Sequence, residues 1–108
     1  MSISATQASL AMERSRLIYS AEQVDDALDQ VAAAITRDTS TENPIMLSVM
    51  NGGLIPLGML LPRLAFPLRI DYLHATRYRE KTFGTDLQWK KHNELSLRGE
   101  TVVVVDDI

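Results

Sequence analysis

Four consecutive valines at positions 102–105, followed at once by Asp106 and Asp107, constrain the fold of this chain more than any other segment. Valine is β-branched and favours strands, so residues 101–105 are predicted to form one. Because this strand has no polar face, it is expected to be buried on both sides, which is typical of a parallel sheet covered by helices. The segment therefore predicts an α/β fold with a mainly parallel sheet flanked by helices.

The other segments supply alternating helices and strands, as such a fold requires. A capping-box pattern at Ser20 and Gln23 begins an amphipathic helix, predicted over residues 20–37. Residues 1–16 form a poorly defined N-terminal segment, with either a short helix over residues 9–16 or a frayed chain. The remaining predicted elements are a buried strand at 45–50, a helix at 54–63, a strand at 68–75, an exposed loop at 76–85, a short strand at 87–89 and a turn at 97–100.

The composition indicates one globular domain without a general affinity for nucleic acid. The chain has 108 residues, of which 45% are hydrophobic and 23% charged, and its formal net charge is −3. The absence of cysteine excludes a disulfide framework, a thiolate nucleophile and Cys-ligated metals. Residues 1–11 lack the basic start and apolar core of a signal peptide, and the longest apolar stretch, 54–61, is too short to cross a membrane. We therefore expect a cytoplasmic protein without a membrane partner.

Three polar segments follow predicted strands, where parallel sheets bind their ligands. The first consists of Asn51, Gly52 and Gly53, between a strand and a helix. Two adjacent glycines allow unusual backbone conformations, and their N–H groups at the start of a helix suit a phosphate or pyrophosphate. The alternative interpretation is a tight turn without a ligand.

The second segment is the acidic pair Asp106 and Asp107 at the end of the valine strand. Two adjacent carboxylates repel each other unless a cation or hydroxyl groups accompany them. The pair therefore predicts a site for magnesium or for the diol of a sugar. The alternative is an acidic turn that faces solvent.

The third segment, residues 77–81, carries three cationic side chains and one tyrosine. Its functional interpretation is a mobile lid, in which Arg77 and Tyr78 close over a polyanion. The alternative is a solvated, charged face. His74 is predicted to be packed within its strand, and no zinc-ligand spacing relates it to His92.

These three segments together carry a resemblance to a known family. Residues 102–108 resemble the opening of the phosphoribosyl-pyrophosphate (PRPP) motif of type I phosphoribosyltransferases, a hydrophobic strand followed by an acidic pair. Residues 50–53 resemble the pyrophosphate-binding loop of that family, and residues 74–78 resemble the start of its flexible catalytic loop. Order and spacing match the hypoxanthine–guanine branch best, over residues 17–108.

The resemblance implies purine salvage, in which PRPP and hypoxanthine or guanine give IMP or GMP and pyrophosphate, with magnesium as the cofactor. It implies that Asp106 and Asp107 bind the ribose hydroxyls and magnesium, directly or through water. Residues 50–53 (Met50, Asn51, Gly52 and Gly53) would bind pyrophosphate, and the family's loop admits a cis peptide between Met50 and Asn51. Arg77 and Tyr78 would come from a lid that shields the reaction from water. The implied partners are PRPP, the purine base and further copies of the chain in a dimer or tetramer.

Two positions depart from the pattern of the family. Many of its purine enzymes have Lys in the pyrophosphate loop and Ser-Tyr in the lid, where this chain has Asn51 and Arg77-Tyr78. We expect residues 1–108 to be the N-terminal part of a single phosphoribosyltransferase domain, incomplete at the C-terminus and inactive alone, because the purine pocket would follow Ile108. The alternatives are a regulatory protein that senses PRPP or nucleotides with the same fold, and a nonfunctional fragment.

Overall fold

A computed structural model describes residues 2–79 and 85–108, with side chains for residues 2–76 and 88–108. The described strands are β1 (Ile45–Val49), β2 (Arg69–Arg79), β3 (Thr85–Lys91) and β4 (Val102–Val105). They form one sheet in the order β3-β2-β1-β4. Strand β1 pairs in parallel with both β2 and β4, whereas β2 and β3 are antiparallel. The mainly parallel sheet predicted from the sequence is therefore confirmed.

The helices are α1 (Ala5–Arg14), α2 (Ala21–Thr39) and α3 (Leu54–Leu60), and a 3₁₀ turn at Leu61–Arg63 continues α3. Helices α2 and α3 contribute to the core of the sheet. The expectation that the valine strand is buried on both sides is wrong, because Val104 is 62% exposed. A buried apolar cluster joins α2, α3 and the segment after it to β1 and β4, and consists of Ala32, Met46, Leu57, Leu60, Leu64 and Val105. Among the described residues, no helix combines the length and the apolar character needed to span a membrane.

The N-terminal helix differs from its prediction. Helix α1 begins at Ala5 and ends at Arg14, earlier than the predicted residues 9–16. It starts at a capping box in which the N–H of Gln7 donates to the Ser4 Oγ and the N–H of Ser4 donates to the Gln7 Oε1. This polar cap sets the start of the helix, which apolar periodicity could not indicate because α1 buries none of its residues.

The predicted capping box of α2 is confirmed and gives a matched test. The N–H of Gln23 donates to the Ser20 Oγ at 3.1 Å, and the N–H of Ser20 donates to the Gln23 Oε1 at 2.7 Å. We expect Ser20→Ala to lower the free energy of unfolding by about 1 kcal/mol, because α2 contributes to the core. Ser4→Ala removes the same cap from α1 and is expected to reduce helicity without changing the global transition. Urea unfolding followed by circular dichroism measures both, and an equal loss of stability in the two variants would contradict the prediction.

The prediction of an exposed loop at residues 76–85 is wrong at both ends that the structure describes. Residues 76–79 continue β2, Thr85 begins β3, and residues 80–84 lie outside the described part of the chain. The antiparallel partner β3 pairs with this part of β2, from Ala75 opposite Trp89 to Arg79 opposite Thr85. Pairing within a hairpin satisfies backbone groups whatever the side chains are, so the polar composition of this segment did not reveal it.

Candidate functional site

Two of the three sequence-predicted segments lie at the same edge of the sheet. Because β1 and β4 are adjacent and parallel, with Ser48 opposite Val105, the chain that leaves each strand emerges side by side. The loop of Asn51, Gly52 and Gly53 follows β1, and Asp106 and Asp107 follow β4. The carboxyl ends of parallel strands are where such folds bind ligands, so this edge is the candidate site.

Gly52 lies directly against the acidic pair. A Cβ atom placed on Gly52 would lie 2.5 Å from both Cγ and Oδ1 of Asp107, and 2.7 Å from Oδ1 of Asp106. Any larger residue would displace these carboxylates, so glycine is what permits the close approach. The two segments are thus in van der Waals contact and form one site.

Gly53 makes a second close approach, towards the backbone. A Cβ atom on Gly53 would contact the Val105 carbonyl oxygen and would lie 2.8 Å from the Ser48 Oγ and 2.9 Å from the Val49 carbonyl oxygen. The Gly53 N–H donates to that Val49 carbonyl oxygen at 2.7 Å. The expectation that these glycines serve unusual backbone angles is wrong, because neither has a positive φ angle. Both glycines are needed because neither position has space for a Cβ atom.

The loop between β1 and α3 is anchored from several sides. Its Met50–Asn51 peptide bond is cis, as the family resemblance suggested. The Met50 N–H donates to the Leu73 carbonyl oxygen at 2.9 Å, which ties the loop to β2. The Gly53 N–H donates to the Val49 carbonyl oxygen, and the Leu54 N–H donates to the Asn51 carbonyl oxygen. Within the described residues, the N–H groups of Asn51 and Gly52 donate to no protein acceptor. Two backbone donors thus remain for a ligand.

The acidic pair carries its negative charge in solvent. The Asp107 N–H donates to the Asp106 Oδ1 at 2.7 Å, and both side chains are exposed. Within residues 2–79 and 85–108, neither carboxylate forms an ion pair, and no group of three or more potential metal ligands occurs. Magnesium binds in proteins through one or two carboxylates, completed by water and substrate phosphates, so a pair is a sufficient donor set.

The described part of the third predicted segment, residues 77–79, ends β2 in the β2–β3 hairpin. Arg77 and Tyr78 belong to β2 and face Leu87 and Asp86 of β3 in the register, while their side chains lie outside the described part. Because β2 is parallel to β1, the hairpin leaves the sheet at the same edge as the candidate site. In the described part of the chain, the loop and the acidic pair lie together. The contact of Arg77 and Tyr78 with that site stays a prediction.

Sequence reasoning missed one buried carboxylate, that of Asp71 in β2, which is 8% exposed. Its Oδ1 accepts the N–H of Tyr72, and its Oδ2 accepts the N–H groups of Glu94 and Leu95, all at 2.7 Å. Burial acts to raise the pKa of Asp71, but the three N–H donors and the nearby Lys91 charge together outweigh burial and lower it. No local signal revealed this burial, because Asp71 stands where an alternating strand places its exposed side chains.

Beneath the loop, Ser48 of β1 is 2% exposed, and its Oγ has no hydrogen-bond partner among the described residues. Because a buried hydroxyl without a partner is costly, we expect Ser48→Ala to raise the free energy of unfolding by up to about 1 kcal/mol. Thr39→Val is the control, since the buried Thr39 Oγ1 donates to the Ile35 carbonyl oxygen and its loss should destabilise. Thermal unfolding of both variants measures the effects, and destabilisation by Ser48→Ala would refute the prediction.

Comparison with known proteins adds independent findings on this fold and site. A family model described as the phosphoribosyl transferase domain matches residues 18–108. The hypoxanthine-guanine-xanthine phosphoribosyltransferase of Tritrichomonas foetus is 26% identical over 103 residues, which make up 95% of this chain and 56% of that protein. The chain thus spans about half the length of the curated relatives it matches.

Solved structures of similar proteins share the fold. A hypoxanthine-guanine phosphoribosyltransferase from Bacillus anthracis superposes with a TM-score of 0.75 at 23% identity, covering 83% of this chain and 54% of that one. A hypoxanthine phosphoribosyltransferase from Staphylococcus aureus gives a TM-score of 0.78 at 18% identity, covering 89% of this chain and 53% of that one. At these identities the likeness establishes the architecture.

Proposed function

The chain belongs to the phosphoribosyl transferase domain family, and we propose that it binds PRPP for transfer of the phosphoribosyl group to hypoxanthine or guanine, which gives IMP or GMP and pyrophosphate. The observation that carries this proposal is the contact between Gly52 and the carboxylates of Asp106 and Asp107. In this proposal, the loop supplies backbone donors for an anion, and the adjacent carboxylates accept a diol or bind a metal. The purine class is supported by the names of the relatives, such as hypoxanthine-guanine phosphoribosyltransferase from Streptococcus pyogenes.

In this proposal each half of the site holds a different part of PRPP. Asp106 and Asp107 accept hydrogen bonds from the ribose hydroxyls, directly or through water bound to magnesium. The N–H groups of Asn51 and Gly52, which have no protein acceptor in the described part, donate to the pyrophosphate. Transfer at the anomeric carbon passes through an oxocarbenium-like state, so donors aimed at the departing pyrophosphate lower the barrier.

Magnesium is the cofactor of this proposal, and Asp106 and Asp107 are the residues that would hold it. When bound, magnesium supplies positive charge that offsets the negative charge of the pyrophosphate leaving group. Arg77 and Tyr78 are proposed to close over the site and exclude water, with the Arg77 guanidinium supplying a cation that Asn51 does not.

We also propose that the protein acts in the cytoplasm and assembles as a homodimer or homotetramer. Apolar side chains that remain exposed around the start of α3 support self-association. Leu54 is 56% exposed and Ile55 is 70% exposed, while Ile70 of β2 is 54% exposed. Surfaces of this kind often mark contacts between proteins.

Calorimetric titration of the 108-residue chain with PRPP tests the proposed function. The expected result is saturable binding in the presence of Mg²⁺ that is lost when EDTA is added, with weaker binding of ribose 5-phosphate, which lacks the pyrophosphate. Circular dichroism of the same sample verifies that the chain is folded. A folded chain that does not bind PRPP with Mg²⁺ would overturn the proposal.

A further inference from the structure

The β2–β3 hairpin extends beyond the parallel part of the sheet. Only the first five residues of β2 pair with β1, from Arg69 opposite Ile45 to Leu73 opposite Val49. From His74 onwards, the described pairing of β2 is with β3, and the register shifts between His74 and Ala75. The hairpin therefore projects from the sheet edge at Leu73. Its position depends on the contacts that hold its returning limb, which is the chain that follows β3, against the sheet.

Asp71 bonds to that returning limb. It lies two residues before the projection begins, and its Oδ2 accepts the N–H groups of Glu94 and Leu95, which follow β3 on the way back to the sheet. Both bonds are 2.7 Å long and join a charged acceptor to backbone donors. Charge-assisted bonds of this kind are about twice as strong as neutral ones. The pairing of β1 with β2 uses the backbone and is independent of this carboxylate.

Lys91, the last residue of β3, adds contacts at the same place. Its Nζ donates to the His92 carbonyl oxygen at 2.6 Å, lies 3.3 Å from the Glu94 Oε1 and lies 5.2 Å from the centre of the Tyr72 ring. We call Asp71, Tyr72, Lys91, Glu94 and Leu95 the hairpin base. Within the hairpin base, the Asp71 carboxylate accepts the backbone N–H groups of the returning limb. The other contacts involve more exposed side chains.

We propose that Asp71 is a positioning residue that holds the returning limb of the hairpin on the sheet, so that the hairpin base opens separately from the core when its carboxylate is lost. Because Arg77 and Tyr78 are carried by the same hairpin, Asp71 also sets where they lie relative to Asp106 and Asp107. The second statement rests on the proposed function, and the first does not. Opening of a peripheral unit at lower free energy than global unfolding is common in proteins.

Hydrogen exchange of the full chain, with no ligand added, tests the separate opening. Asp71→Asn keeps the size of the side chain while it removes the charge and turns one acceptor into a donor. The exchange of the Glu94 and Leu95 amides is expected to accelerate at least about 10-fold, which corresponds to about 1.4 kcal/mol, while the amides of β1 and α2 keep their rates. Glu94→Gln, which removes only the charge of the ion pair with Lys91, is the control and should leave these amides protected. Uniform acceleration throughout the chain, or none, would overturn the proposal.

An acid titration of the unsubstituted chain keeps the test valid if Asp71→Asn fails to fold. The pKa of Asp71 is lowered in the folded chain, so its stabilising effect is complete above the ordinary Asp pKa and is lost as pH falls through the lowered value. Amide protection at Glu94 and Leu95 is expected to disappear at a higher pH than protection in β1. Among the described residues, the charge of Lys91 acts on this carboxylate, and Glu94→Gln removes the acidic partner of Lys91. Simultaneous loss of protection in both regions would overturn the proposal.

A binding measurement separates this inference from the proposed function. If the chain binds PRPP with Mg²⁺, Asp71→Asn is expected to raise the Kd about 10-fold, because the residues on the hairpin are no longer held in place. An unchanged Kd would refute the effect of Asp71 on the site. If the unsubstituted chain does not bind PRPP, the proposed function fails, while the hydrogen-exchange result still decides the role of Asp71.

Discussion

Replacing Asp106 and Asp107 together by asparagine is expected to weaken Mg²⁺-dependent binding of PRPP at least about 100-fold. The two carboxylates are exposed and adjoin the Gly52 backbone, and in the proposed function they accept the ribose hydroxyls and bind the magnesium ion. Asparagine retains the shape but loses the charge that attracts the metal. The free energy of unfolding should change by no more than about 0.5 kcal/mol, since exposed side chains contribute little. Calorimetric titration measures the affinity, and urea unfolding measures the stability.

The chain offers a matched control for this double substitution. Asp25 and Asp26 are also adjacent aspartates, but they lie on α2, and their replacement by asparagine changes the net charge by the same amount. PRPP affinity should remain the same in the Asp25→Asn/Asp26→Asn variant. If both double variants lost affinity equally, the effect would be one of overall charge, and if neither did, the assignment of Asp106 and Asp107 would be wrong.

The location of the candidate site was predictable because a single rule about parallel sheets gives it. A valine strand that ends in two aspartates, and an apolar strand that ends in Asn51 and two glycines, place both polar segments at carboxyl ends of strands. That rule does not require knowledge of which strands are neighbours. The contact of Gly52 with Asp107 does require it, because it arises only when β4 pairs with β1. Strand order is decided by long-range packing, which local patterns in one sequence do not contain.

Asp71 and the extended hairpin were missed for a related reason. Asp71 alternates with Ile70 and Tyr72 like any polar residue on the outer face of a strand, so its position predicts exposure. Its burial accompanies hydrogen bonds from the N–H groups of Glu94 and Leu95, which follow the hairpin. Likewise, residues 76–79 pair with β3, which extends on both sides of the strand predicted at 87–89. In both cases the deciding contact is made by another segment of the chain, which the local pattern around Asp71 or residues 76–79 does not contain.

Gly53→Ala is expected to lower the free energy of unfolding by about 3 kcal/mol, because the added methyl group has no space. Its Cβ would meet the carbonyl oxygens of Val105 and Val49, which belong to strand ends and cannot rotate away as a side chain would. Either the first turn of α3 or the end of β4 must shift. The second of these movements would also displace Asp106, so PRPP affinity should fall together with stability. Urea unfolding and calorimetric titration measure the two effects.

Gly58→Ala is the control, because it adds the same methyl group four residues after the start of α3. Outside the chain neighbours and the helix's own backbone, no atom of the described residues would lie within 4 Å of the new Cβ at Gly58, and alanine favours the helical backbone more than glycine does. This variant is therefore expected to be more stable than the unsubstituted chain by about 0.5–1 kcal/mol and to bind PRPP equally well. Opposite signs for one chemical change within one short segment would show that close packing between the loop and β4 requires the glycine. Equal effects at both positions would mean that the loop and the acidic pair are not held together as the structure describes.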